Sequence, residues 1–290
     1  MRGPLRPRPT WNRSPLSRSP LALLTRLTLT LLVVCAGGAM MVTRAWAQDP
    51  GDDVSRVFSF GGSCVGCELS GRKLPDARFL GVNFSRAVMA GADLQGAWFL
   101  GANFSHANLA HANLHGASVL GSQFLACDFT GANLSDIRGH GADFTGSNLT
   151  DADFTHANLM GAQLPKVTAH ETQFVGASMF GADLGQGHFE KASFKNASLV
   201  GADLYGATFA GADFTGASLA HANLVGADLS GARGLTQGQL DLACAGPSTR
   251  LPAGLTAHSC RGGGASVVIL KANAAARAGG PHFIVDTSGY

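Results

Sequence analysis

The sequence predicts an all-β solenoid, a stack of about eight square coils joined by parallel ladders. Three observations lead there. An apolar residue recurs at every fifth position from Leu69 to Leu229. A small residue, usually Ala, stands two places before it, as in Ala92-Asp93-Leu94, Ala102-Asn103-Phe104 and Ala202-Asp203-Leu204. Glycine is the commonest residue two places after it, in a chain with 39 glycines and only 14% charged residues.

The period is unbroken across thirty-three pentapeptides, and thirty-one of their centres are Leu, Phe, Met or Val; Gly139 and Ala169 are the exceptions. A helix repeats at about 3.6 residues and a strand at about 2, so a period of five demands a chain that turns at every quintet. Alternation puts the centre and the small residue on the inward side and the polar residue between them outside. Glycine supplies a corner of positive φ. Collagen is excluded because the glycines do not fall every third residue, and disorder because 46% of the chain is hydrophobic.

Four such sides close a coil of 20 residues, so residues 20 apart should stack in columns. Phe84, Phe104, Phe124 and Phe144 fall in one column, followed by Leu164, Leu184, Leu204 and Leu224. The opposite side reads Leu74, Leu94, Leu114 and Leu134, then Phe154, Phe174, Phe194 and Phe214. Aromatic bulk thus crosses from one wall to its opposite near mid-rod, as an interior of constant density requires. The two faulty centres follow oversized residues at the small position, Ile137 before Gly139 and Val167 before Ala169. Volume moves within the side, a packing swap that predicts a void if Ile137 is cut to Ala.

The A-(D/N)-(L/F)-x-x signature of these residues resembles the pentapeptide repeat family, from Leu69 to Leu229. The resemblance implies a right-handed quadrilateral parallel β-helix, a hand that agrees with the rule for parallel crossovers. The domain plan is then a targeting segment at 1–47, a lead-in and cap at 48–66, the repeat at 67–233, a helical cap at 234–260 and a tail of loose strands or disorder at 261–290.

The first 47 residues carry seven arginines and no acid, then an apolar run from Leu27 to Val42 and Ala45-Trp46-Ala47. Basic start, short apolar stretch and A-x-A site make a secretory signal cleaved after Ala47. The competing readings are an uncleaved membrane anchor and, at Leu32-Val33-Val34-Cys35, a lipoprotein box spoiled by the large Val34. Without this segment, 14 basic residues stand against 19 acidic ones, a net charge of −5. No polybasic face is left to bind nucleic acid, and no membrane span is left after cleavage.

Solenoid ends expose interior and need caps. Thr236 as N-cap, Gln239 closing a capping box and Leu235 stapling to Leu240 predict a short helix to about Cys244, ended by Pro247 and Pro252. The tail through Leu251 to Cys260 resembles that of exported members of the family. Cys244 and Cys260 are the expected disulfide clamping this cap. Cys127 stands at a small inward position, as a buried thiol acting as a small hydrophobe. Cys64-Val65-Gly66-Cys67 leaves three readings open: a disulfide or cap, a redox pair, or half of a zinc site.

The histidines of the repeat all face outward, and none stacks on another 20 residues away; His106, His111, His156 and His221 replace the corner glycine. His106, His111 and His115 form a local group with no carboxylates arranged beside it. Asp93, Asp143, Asp153, Asp183, Asp203, Asp213 and Asp228 recur at one phase, which points to coil corners rather than acid–base pairs. No GxSxG, phosphate-loop or HExxH motif occurs in the sequence, and neither a cofactor nor a metal is expected.

The expectation is therefore a periplasmic or secreted, non-enzymatic scaffold for an unnamed protein partner, able to pair with a copy of itself through a solenoid end. Two alternatives stand beside it. Some members of the family imitate DNA and inhibit gyrase, and the pentapeptides here carry 14 acidic against 8 basic residues; export and the lack of loop insertions oppose this. The other is a thiol redox protein working through Cys64 and Cys67.

Overall fold

The computed structural model of the protein describes residues 61–260 and the backbone of the short strands Val34–Cys35, Gly38–Ala39 and Phe58–Phe60. Apart from two of those strands, the expected signal segment with its Ala47 site lies outside the described residues, as does the tail at 261–290. No helix among the described residues is long and apolar enough to cross a membrane.

The residue before each centre bridges in parallel to the residue 20 places on, as Ser63 to Asn83, Asn83 to Asn103 and onward to Asp203 with Asn223. One turn is four pentapeptides, and the architecture is a right-handed quadrilateral β-helix. Two hydrogen bonds flank each bridge: at Glu68–Val88, Leu69 donates to the Val88 carbonyl at 2.7 Å and Val88 donates to the Cys67 carbonyl at 2.9 Å. The backbone is thereby satisfied coil against coil, and long regular strands are not needed.

Each corner is a four-residue turn. The Ala107 N–H donates to the Phe104 carbonyl at 2.8 Å, and between them His106 sits at φ 62°. A positive φ at the third residue marks a type II turn, which favours glycine there. Fourteen of the described residues other than glycine nonetheless adopt it, all at this corner position, and none is β-branched. Branching at Cβ would worsen the clash that makes this conformation costly.

We number the walls in chain order. The first wall holds centres Leu69, Met89 and on to Leu229; the second runs from Leu74 to Phe214, the third from Phe79 to Leu219, and the fourth from Phe84 to Leu224. Phe84, Phe104, Phe124 and Phe144 stack along the fourth wall with centroids 5.0, 4.8 and 5.0 Å apart. Phe154, Phe174, Phe194 and Phe214 stack along the second at 5.2, 5.0 and 5.0 Å. The stacks meet where Phe144 touches Phe154 edge-on, at 5.7 Å and 85°. Shorter stacks accompany them: Phe79 on Phe99 on the third wall, and Phe189 on Phe209 on the first.

Ile137, Gly139, Val167 and Ala169 all lie in this interior, and the two larger side chains are fully buried. A Cβ added at Gly139 would meet Leu159 Cδ2 at 3.0 Å and Val119 Cγ2 at 3.7 Å. Neighbours along the column therefore also occupy the space that the missing side chain leaves.

Both ends depart from the sequence reading. The ladder starts earlier than 67: Phe58–Phe60 pairs with Arg78–Leu80, and Cys64 donates to the Asn83 carbonyl at 2.7 Å. Ser59 and Cys64 occupy centre positions, and their polarity and small size hide the register. At the other end the helix spans only Gln237–Leu240 and does not reach Cys244. The chain is drawn back onto the ladder, where Cys244 bridges Asn223 and Arg250 bridges Asp228. Gln239 accepts from the Thr236 N–H at 2.7 Å, and its amide donates to the carbonyls of Phe214 and Ala217 at 2.9 and 2.8 Å. One glutamine thus closes the helix start and stitches it to the last coil. Leu240 is buried, and Leu235 packs against the same core.

Candidate functional site

Because side chains fill the interior, chemistry must be sought on the walls. The residue before the centre points outward, and where it is Asp or Asn its Oδ1 accepts the N–H two residues on. Asn103 takes it from Ser105 at 2.9 Å, Asp153 from Thr155 at 2.8 Å and Asp203 from Tyr205 at 2.9 Å. This is an Asx turn, and it satisfies an outward N–H that the ladder leaves over. Where Ser or Thr follows the centre, its hydroxyl in most cases donates to the same oxygen, as Thr130 does to Asp128 at 2.6 Å. These hydrogen bonds hold the Asp213 carboxyl below its usual range, the Thr215 hydroxyl contributing most, and the Asp228 carboxyl likewise through Ser230. The carboxylates are engaged as corner braces.

Four inward positions carry polar groups that the hydrophobic pattern passed over. Ser122 donates to the Phe99 carbonyl at 2.7 Å and accepts the Ala102 N–H at 3.2 Å, so its hydroxyl is inserted into the turn of the preceding coil. Ser147 does the same between Phe124 and Cys127. Thr172 donates to the Leu149 carbonyl at 2.7 Å. Cys127 is buried, but it is more than a small hydrophobe: its thiol donates to the Phe104 carbonyl at 2.9 Å. Burial pushes that thiol up to about 12, so it is neither a nucleophile nor a metal ligand at neutral pH.

Cys64 is bonded to Cys67 across the first described corner, and Cys244 to Cys260 in the C-terminal cap. Cys64 is 8% exposed, which shields it from exchange with another thiol. Among the histidines, His115 is an exception to the sequence reading, because Asp136 lies 3.7 Å from its Nδ1 and Ser135 Oγ 2.9 Å from it. The coil repeat lifts residue 136 beside residue 115, a proximity that linear spacing hides. Groups of three or more possible metal ligands are absent among the described residues.

The third wall is unlike the rest. None of the 14 repeat carboxylates belongs to its pentapeptides. The residue after its centre is apolar in seven of eight coils: Leu80, Leu100, Leu120, Met160, Phe180, Val200 and Ala220, with His140 between. Its corner is glycine from Gly81 to Gly201 without a break. Arg78 lies over the exposed Trp98 ring, 5.2 Å from the centroid.

The family model for pentapeptide repeats matches in 8 copies over residues 63–99, 87–119, 122–164, 172–211 and 197–233, more than half of the chain. The chain belongs to the pentapeptide repeat family. The match lapses between 164 and 172, where Val167 and Ala169 break the usual pattern. This pentapeptide repeat protein is similar to HetL of the cyanobacterium Nostoc, a protein involved in heterocyst differentiation regulation: 26% identity, TM-score 0.50, over 68% of this chain and 91% of that one. QnrB1, a plasmid-mediated fluoroquinolone resistance protein, is similar at 21% identity and TM-score 0.38, over 68% of this chain and 94% of that one. A pentapeptide repeat protein of the Arabidopsis thaliana thylakoid lumen is 32% identical over 35% of this chain and 63% of that one, with TM-score 0.22. No curated protein matches the chain in sequence.

Proposed function

We propose that this pentapeptide repeat protein is an exported, non-catalytic scaffold of the periplasm or the extracellular space that presents its walls to protein partners. The observation that carries the reading is the division of labour in each pentapeptide: the interior is uniform and buried, while outward residues differ from wall to wall on one rigid frame. Two disulfides in a chain of this size suit an oxidising compartment, which supports export by the basic and apolar first 47 residues. The buried, bonded Cys64 weighs against a redox role, and an insulin-reduction assay should show no activity above background. Export away from a cytoplasmic gyrase and an unbroken run of pentapeptides without loop insertions weigh against the DNA-imitating alternative, for which a supercoiling assay with gyrase should likewise show no inhibition.

The test is fractionation of the tagged chain followed by crosslinking in the compartment where it is found. Recovery from the periplasm or medium with a start at Gln48, crosslinked to a protein, is the expected result. A cytoplasmic, uncleaved chain overturns export, and an exported chain that crosslinks to nothing overturns the scaffold.

A further inference from the structure

The third wall combines an apolar column, no carboxylate and a corner without side chains, interrupted only by His140 in the column and His221 at the last corner. Leu100 is 50% exposed, Trp98 47% and Phe180 48%, as large apolar groups in water seldom are on a single wall. The glycine corner beside them is not dictated by backbone geometry alone: thirteen of the fourteen non-glycine residues at positive φ lie on the other three walls, and the third has only His221. Crowding does not dictate it either, since a Cβ at Gly81, Gly101, Gly121, Gly161 or Gly181 would meet nothing within 4 Å. Bare corners let another backbone come close.

We infer that the third wall pairs with the third wall of a second copy, the two rods lying antiparallel about a two-fold axis. Identity of the partner follows from spacing: coils repeat every 4.8 Å or so along the rod, roughly the strand-to-strand distance, and only a surface with the same repeat meets every rung at once. Antiparallel pairing sets Leu80 opposite Ala220, Leu100 opposite Val200 and Leu120 opposite Phe180, so the bulky end of one column meets the slight end of the other. Charge agrees. The pairing buries no acid, and Arg138 falls opposite the coil of Asn158 rather than opposite its own copy. Eight rungs, spanning seven intervals of about 4.8 Å, on a wall about 15 Å wide bury about 1,000 Å² in all, the lower bound for a specific interface, and this fits a reversible dimer of micromolar affinity. The pairing is independent of the scaffold reading, since three walls of each rod stay open.

Sedimentation equilibrium of the purified full chain should show a monomer–dimer equilibrium. Phe180→Asp or Leu100→Asp should weaken it about 30-fold, as a central apolar contact would. Tyr205→Asp, on the fourth wall and equally exposed, should leave it unchanged; circular dichroism and thermal melting report that each variant is folded. A chain with Leu120→Cys and Phe180→Cys should give a disulfide-linked dimer on a non-reducing gel. A monomer at every concentration, or a dimer indifferent to both aspartates, overturns the inference. So does monomeric binding to phosphatidylglycerol vesicles that the same aspartates abolish, which would assign the wall to lipid. Dimerisation only after truncation at Cys260 would assign it to the chain's own tail, and overturns it as well.

Discussion

On the first, second and fourth walls the residue before the centre is most often Asp or Asn, and its side chain caps the corner that follows. On the third wall that place holds Trp98, two arginines and four serines, with Asn158 as its one Asx residue, 3.4 Å from the Met160 N–H. Yet the corners of the third wall close in the same way, with Ala162 donating to the Leu159 carbonyl at 3.0 Å and Ala182 to the Met179 carbonyl at 3.1 Å. Side-chain capping is therefore an addition to a frame that ladder and interior already hold. Outward residues are free of the fold, so a wall with a consistent and costly outward character carries information about what it meets.

That comparison can be broken most forcefully from inside. Phe99→Ala on the third wall and Phe174→Ala on the second should each cost about 3–5 kcal/mol by urea unfolding, because both walls enclose one interior. A much smaller loss at Phe99 would mean that the third wall packs more loosely. Ile137→Ala should cost about 2–5 kcal/mol, opening a void beside Gly139 that has no side chain to collapse into it. Melting at the parent's temperature would dismiss the packing swap.

Smaller effects sharpen the contrast at the corners. Asp143→Ala removes the acceptor for the Thr145 N–H and hydroxyl, and should cost about 1 kcal/mol. Ser178→Ala, at the same phase on the third wall, should change stability by less than about 0.5 kcal/mol. The smallest effect is that of acid. The folded pKa of Asp213 and Asp228 is depressed, so their contribution is complete above the unfolded value of about 3.9 and is lost as pH falls through the lower folded value. A shallow drop in melting temperature below about pH 4, reduced in Asp228→Asn, is the expected signature.

The period of five made the coil, the columns and the crossing of aromatic bulk legible before any coordinates, since each follows from adding multiples of 20 to a residue number. The third wall was equally legible, but only to the same arithmetic applied to the residue after each centre; attention to inward positions alone misses it. The pairing of Phe58–Phe60 with Arg78–Leu80 was hidden because Ser59 and Cys64 do not look like centres. The helix end was hidden for another reason: local capping signals describe a helix at 236–240, whereas its arrest depends on Cys244 finding Asn223 in the previous coil. Ser122 and Ser147 read as small residues in an alanine column, and only the turn beneath shows that their hydroxyls are used.

The four-sided coil also makes phase a heritable property. An insertion of 20 residues would add a storey and leave every face in line, whereas a single extra pentapeptide would advance everything beyond it by a quarter revolution, with inward positions still inward but stacked on new neighbours at the junction. Leucines of the lower storeys would then look out in one direction and Phe180 in another. Such a lineage could keep its coil while losing the continuity of its longest stripe, so duplication by fours and duplication by ones have opposite consequences for a surface that the fold itself does not police.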